Sequence, residues 1–148
     1  MEVQQDFKEL LKFFNAHKVE YVVVGGYALA FHGAPRYTGD IDILVKPDEE
    51  NARRVLNALE EFGFGSVGLK KADFMYQNKV VQLGVPPVRV DIITSISGVS
   101  WDEAFEGRAA GKYGDIPVYY IGRDQFIENK RAIGRQKDLA DLEALGEK

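Results

Sequence analysis

Residues 21–45, YVVVGGYALAFHGAPRYTGDIDILV, constrain this chain more than any other stretch. An apolar, β-branched run reads as a buried strand that ends at Gly25-Gly26, and a compact apolar segment stopped by Gly33 and Pro35 reads as a short helix. Residues 40–45, DIDILV, then alternate acid or leucine with isoleucine or valine, which is the period of a strand. The stretch couples a Gly-Gly turn at the end of one strand to an acid pair that opens the next.

The rest of the chain supplies partners for these strands. Phe7, Leu10, Leu11 and Phe14 recur at helical spacing and predict a first helix over 4–17. Pro47-Asp48 opens a second long helix, in which Ala52, Val55, Leu56 and Leu59 form one face and Gly63 is the stop. Residues 80–85 and 88–94 read as strands on either side of Pro86-Pro87, and 101–105 as a helical turn. Residues 112–121 read as a hairpin or edge strand, and 124–133 and 136–145 as two helices loosened at Gly134. The expectation is an α+β fold, a small mixed β-sheet flanked by helices, in a single domain over 1–148 whose C-terminal helices, within 123–146, close it. A chain of 148 residues can bury a core without staples, and with no cysteine it has neither disulfides nor thiolate zinc sites. The net charge of −4 argues against broad nucleic-acid binding. The N-terminus lacks the pattern of a signal peptide and no run is long enough to span a membrane, so the expected location is the cytoplasm.

Asp40 and Asp42 are two apart on a strand and so share a face. Two like charges so placed repel unless a cation or water separates them. On a solvated face the pair would mean little, but Ile41, Ile43, Leu44 and Val45 mark this strand as central, where uncompensated carboxylates are costly. Asp91 is a single acid inside the apolar run VRVDIIT, and Arg89 is expected to be badly placed to pair with it. If this strand lies beside residues 40–45, the three acids can hold divalent metal with phosphate oxygens. Glycines between a strand and a helix offer backbone N–H groups to phosphate. The sequence is neither a Walker loop nor a dinucleotide fingerprint, since no Gly-Lys-Ser/Thr follows and the third glycine is missing.

Gly25-Gly26, thirteen intervening residues, Asp40-Ile41-Asp42 and a later strand Asp91 together resemble the DNA polymerase β-like nucleotidyltransferase superfamily. The chain is closest in pattern to the small members found in AbiEii-type toxin–antitoxin systems, whose closing helix RQKDLADLEAL is similar to. The resemblance implies a polymerase β palm-like fold. It also implies Asp40, Asp42 and Asp91 as metal ligands, with Asp91 activating an acceptor hydroxyl, and Gly25 and Gly26 on the triphosphate. Its cofactor would be Mg²⁺, in a pair, with Mn²⁺ an alternative. The reaction would move a nucleoside monophosphate from an NTP to a hydroxyl and release pyrophosphate. Gly26 stands where many relatives have serine, leaving backbone donors only.

Arg36, Thr38 and Lys137 are further candidates for nucleotide binding, Arg36 being equally suited to pair with the acids. His32 is expected to be packed or hydrogen-bonded rather than a base, Lys130 to lie on a solvated helix face, and Asp138 to be a structural partner of Lys137. The acceptor is a protein, a tRNA end or a small molecule, and a partner protein or a second copy could help to bind it. Two other readings fit the same residues: a catalytically silent nucleotide- or metal-binding module of regulatory or antitoxin type, and a phosphohydrolase using the same acids.

Overall fold

The computed structural model describes residues 3–35, 38–85 and 88–147. Six strands form one mixed sheet in the order β3-β4-β2-β1-β6-β5. They are β1 (Tyr21–Val24), β2 (Asp40–Val45), β3 (Val80–Leu83), β4 (Arg89–Ile93), β5 (Ala109–Tyr113) and β6 (Ile116–Tyr120). Among the described residues seven α-helices accompany the strands: α1 (Gln5–Ala16), α2 (Gly25–Phe31), α3 (Glu49–Leu59), α4 (Ala72–Met75), α5 (Trp101–Glu106), α6 (Arg123–Ile133) and α7 (Gln136–Ala144). The α+β architecture and most elements match the periodicity of the sequence. Two differences stand out. The helix after β1 starts at Gly25 rather than Tyr27, so both glycines belong to its first turn. A short α4 forms where no helix was expected, around the buried Phe74.

The long crossover after β2 returns the chain to lay β4 parallel to it, while β1 runs antiparallel on its other side. In this register Asp42 faces Val24 on one neighbour and Asp91 on the other. Ile41, Ile43 and Val45 alternate with the acids and are fully buried. They join the core that includes Phe7, Leu10 and Phe14 of α1 and Ala52 and Val55 of α3. Burial of that face is what sets the register, because a one-residue slip would turn the acids into the core.

One buried polar residue braces the far end of the acid strands. Asn51, 1% exposed, accepts from the Glu20 N–H at 2.8 Å and donates to the carbonyls of Glu20 and Lys46, both at 3.0 Å. It ties the entry to β1 to the exit from β2. Asp48 caps α3 by accepting from the Asn51 N–H at 2.7 Å, which fixes where the amide sits. Asn51→Ala leaves two backbone carbonyls and one N–H without this partner. It is expected to cost about 2–3 kcal/mol in urea unfolding.

Candidate active site

The site is built by period-two geometry on β2 and β4. Asp40 and Asp42 project from one face of β2, and Asp91 is the direct cross-strand neighbour of Asp42. Adjacent strands lie about 4.8 Å apart. One carboxylate oxygen from each of the three acids falls within 4.8 Å of the other two. The structure thus brings together the three acids singled out in the sequence.

Such crowding has an electrostatic consequence. Burial, followed by the carboxylates of Asp40 and Asp91, pushes the Asp42 pKa up to about 8. Without a cation, the cluster holds a proton where an isolated aspartate would not. Hard oxygen donors of this number and closeness fit a hard divalent cation, which would displace that proton.

Arg89 departs from the expectation that it is badly placed to pair with Asp91. Residues 89 and 91 are two apart and share a face, so period-two geometry brings them together rather than keeping them apart. The guanidinium grips the carboxylate in a bidentate pair, with Nε to Oδ1 and Nη2 to Oδ2 both at 3.0 Å. Arg89 is also the cross-strand neighbour of Asp40. It therefore orients Asp91 and offsets part of the cluster's negative charge.

The glycines have a steric reason as well as a chemical one. Gly25 has φ +67°, and a Cβ there would lie 2.2 Å from Asp42 Oδ2. Only glycine lets the chain leave β1 that close to the acid. A Cβ on Gly26 would lie 3.1 Å from the Cβ of Thr38. Val24, the residue before the helix, supplies no side-chain cap to the first turn of α2. Thr38 donates to the Asp40 carbonyl at 3.0 Å and so steadies the start of β2. Arg36 lies outside the described residues.

Asp42 and Asp91 open into a cleft of about 600 Å³. Val24, Gly25, Asp42 and Asp91 line it from the sheet, and Asn129, Lys130 and Arg135 from the end of α6 and the joint after it. Lys130 is not on a solvated face. It is 6% exposed, because α7 folds back over it and its Nζ meets Asp138 Oδ1 at 3.2 Å and Asp141 Oδ2 at 3.4 Å. Asp138 is fully buried and belongs to Lys130 and Arg135 rather than Lys137; Arg135 Nε reaches its Oδ2 at 2.7 Å. Burial works against the Asp138 charge, but Arg135 and Lys130 outweigh it and hold the carboxyl below its ordinary range. Lys137 is exposed and is not among the residues lining the cleft. His32 is packed as expected, with Nε2 2.7 Å from the Ile121 carbonyl. The signal that could have found Lys130 is its place eight residues before Asp138, which an α-helical hairpin brings together.

The raised Asp42 pKa has a definite sign in stability. The folded state keeps a proton to about pH 8, whereas the unfolded chain loses it near about pH 3.9. Between those values the folded state binds more protons, so without divalent ions stability falls as pH rises, and the loss is complete above the upper value. Asp42→Asn removes the titration. In chelator at about pH 9 the variant is expected to melt above the wild type, and at about pH 4 the difference is expected to shrink.

The fold has known counterparts. Protein TM1012 of Thermotoga maritima superposes with a TM-score of 0.61 at 16% identity, over 94% of this chain and 89% of that one. The lincomycin-bound lincosamide antibiotic adenylyltransferase LnuA gives 0.61 at 17% identity, over 97% and 96%. ANT(2")-Ia in complex with adenylyl-2"-tobramycin gives 0.56 at 13% identity, over 94% and 84%. No curated protein sequence matches the chain. A family model does match, over residues 1–97, which carry β1, the glycines and all three acids. The chain belongs to the family described as nucleotidyltransferase of unknown function (DUF6036).

Proposed function

We propose that the protein transfers a nucleoside monophosphate from an NTP to a hydroxyl acceptor, releasing pyrophosphate. The observation that carries this reading is the meeting of three carboxylates, within 4.8 Å of one another, with a glycine strand exit. Family membership supports it, as do the adenylyl-transferring proteins among the structural counterparts.

Asp40, Asp42 and Asp91 would hold Mg²⁺, as one ion or a pair, with Mn²⁺ an alternative. When bound, the metal supplies positive charge to the phosphates and acidity to oxygens at the site. The chain's own residues do the rest. Backbone N–H groups at Gly25 and Gly26 receive phosphate oxygens on the β1 side of the acids. Lys130 and Arg135 bring positive charge from the facing wall, and the Asp138 pairs keep them from swinging away. Arg89 orients Asp91, whose carboxylate accepts the proton of the attacking hydroxyl. Arg36, Thr38 and Lys137 remain proposed phosphate contacts, though Thr38 and Lys137 do not line the cleft.

The finer proposals rest on the sequence. The closing helix RQKDLADLEAL supports placement in a toxin–antitoxin pair with a partner protein. Among the described residues no helix is long and apolar enough to cross a membrane, which agrees with the proposed cytoplasmic location. LnuA and ANT(2")-Ia are bound to antibiotic molecules, which supports a small-molecule acceptor over a macromolecule.

Incubation with each α-labelled NTP, Mg²⁺ and cell extract is expected to label an acceptor. Asp42→Ala and Asp91→Ala should each lower the rate by at least about a thousandfold. No label transfer with any NTP, or an Asp42→Ala variant as active as wild type, overturns the reading. Labelled nucleotide released without a labelled acceptor would instead identify a hydrolase. Lys130→Met, which keeps the length of the buried stem, is expected to raise the KM for NTP about tenfold or more.

A further inference from the structure

A second cavity adjoins the cleft. It holds about 200 Å³, below the roughly 300–1,000 Å³ of sites for drug-sized ligands, and so suits a single ring. Gln77, Ser95 and Ile96 line both spaces, so this chamber lies directly beside the candidate active-site cleft. Leu44, Val99 and Trp101 form its apolar walls. Leu44 follows the acids on the same face of β2, so the chamber continues the acid face along the strand.

Trp101 is set as a fixed wall. Ser100 and Glu103 form a reciprocal capping box, which places Trp101 at the first position of α5. The indole stacks on Phe105 with centroids 5.3 Å apart at 26°. Arg108 in turn lies over Phe105, 3.8 Å from its centroid. The polar wall groups are mostly committed. Ser95 Oγ accepts from the Asn78 N–H at 2.9 Å and donates to Asn78 Oδ1 at 3.1 Å. The Thr94 hydroxyl accepts from the Lys79 N–H at 2.9 Å. Gln77 is exposed, makes no side-chain hydrogen bond among the described residues, and lines both chamber and cleft. Among the described residues no Asp, Glu, Lys, Arg or His lines the chamber. A charged ligand group would lose water there without gaining a partner.

We propose that this chamber is the acceptor site, and that it takes an uncharged, hydroxyl-bearing ring of about hexose size, face to Trp101 and hydrogen-bonded to Gln77. The assignment rests on the nucleotidyl-transfer reading. In-line displacement puts the attacking and leaving oxygens on opposite sides of the phosphorus. Gly25 follows β1 and the chamber follows β4, and these strands flank β2 on opposite sides. Pyrophosphate leaving toward Gly25 therefore requires the acceptor to come from the Asp91 side. The acceptor oxygen forms the new P–O bond, the bond to the bridging oxygen of pyrophosphate breaks, and the hydroxyl proton passes to Asp91.

Trp101 is the chain's sole tryptophan, so its emission reports on the chamber. The probes are methyl β-D-glucoside, glucosamine and glucuronate, matched in size and differing in charge, added to protein holding Mg²⁺ and a non-hydrolysable ATP analogue. Methyl β-D-glucoside is expected to change the emission saturably, and the charged sugars to bind at least about tenfold more weakly. By calorimetry, Trp101→Ala and Gln77→Ala are expected to weaken the glucoside about three- to tenfold or more, with nucleotide affinity within about twofold of wild type. Trp101→Phe, which keeps a ring, should retain most of the binding and serves in place of Trp101→Ala if that variant unfolds. No response to any of the three sugars, or preference for a charged one, overturns the proposal. So does a loss of nucleotide affinity of about tenfold or more in Trp101→Ala, which would place the base in the chamber. Failure of the wild type to bind any nucleotide analogue defeats the nucleotidyl-transfer reading instead.

Discussion

Mutual repulsion among Asp40, Asp42 and Asp91 is the constraint around which the rest of this protein is arranged. Three carboxylates within 4.8 Å are unfavourable in any fold that lacks a cation to put between them. The fold tolerates them because the buried face of β2, with Ile41, Ile43 and Val45 wholly inside, holds the strand in place regardless. Hydrophobic burial on one side of the sheet thus sets charge against charge on the other.

The surrounding residues moderate that cost without cancelling it. Arg89 offsets part of the charge through its bidentate grip on Asp91. Lys130 and Arg135 reach the same cleft from α6 and the joint after it, yet are tied to Asp138 behind them. Lys130 and Arg135 are thus positioned by an acid other than those they face across the cleft. The cleft combines an acidic floor with a basic wall. That polarity suits a metal–phosphate complex better than either ion alone.

Much of this was legible in the chain. Gly25-Gly26, Asp40, Asp42 and Asp91 stand in strands whose apolar alternation is clear, and period-two geometry predicts which side chains share a face. The same rule, applied two residues back, would have paired Arg89 with Asp91. Lys130 was harder to see. On α6 it looks like an ordinary charged helix residue, and its burial depends on α7 folding over it at Gly134, which adopts the left-handed conformation. Trp101 carried no signal at all, because a helical turn says nothing about what its first residue faces.

The amino-acid sequence by itself determined the strands, the glycine exit after β1 and the three acids, because these follow from local spacing and residue chemistry. Only the tertiary structure decided that β4 lies parallel to β2 with Asp91 opposite Asp42, that Lys130 is buried at the cleft, and that a neutral chamber adjoins the acids. Those arrangements depend on how elements far apart in the chain pack together, and the burial of shared apolar faces selects that packing while leaving no local pattern to read.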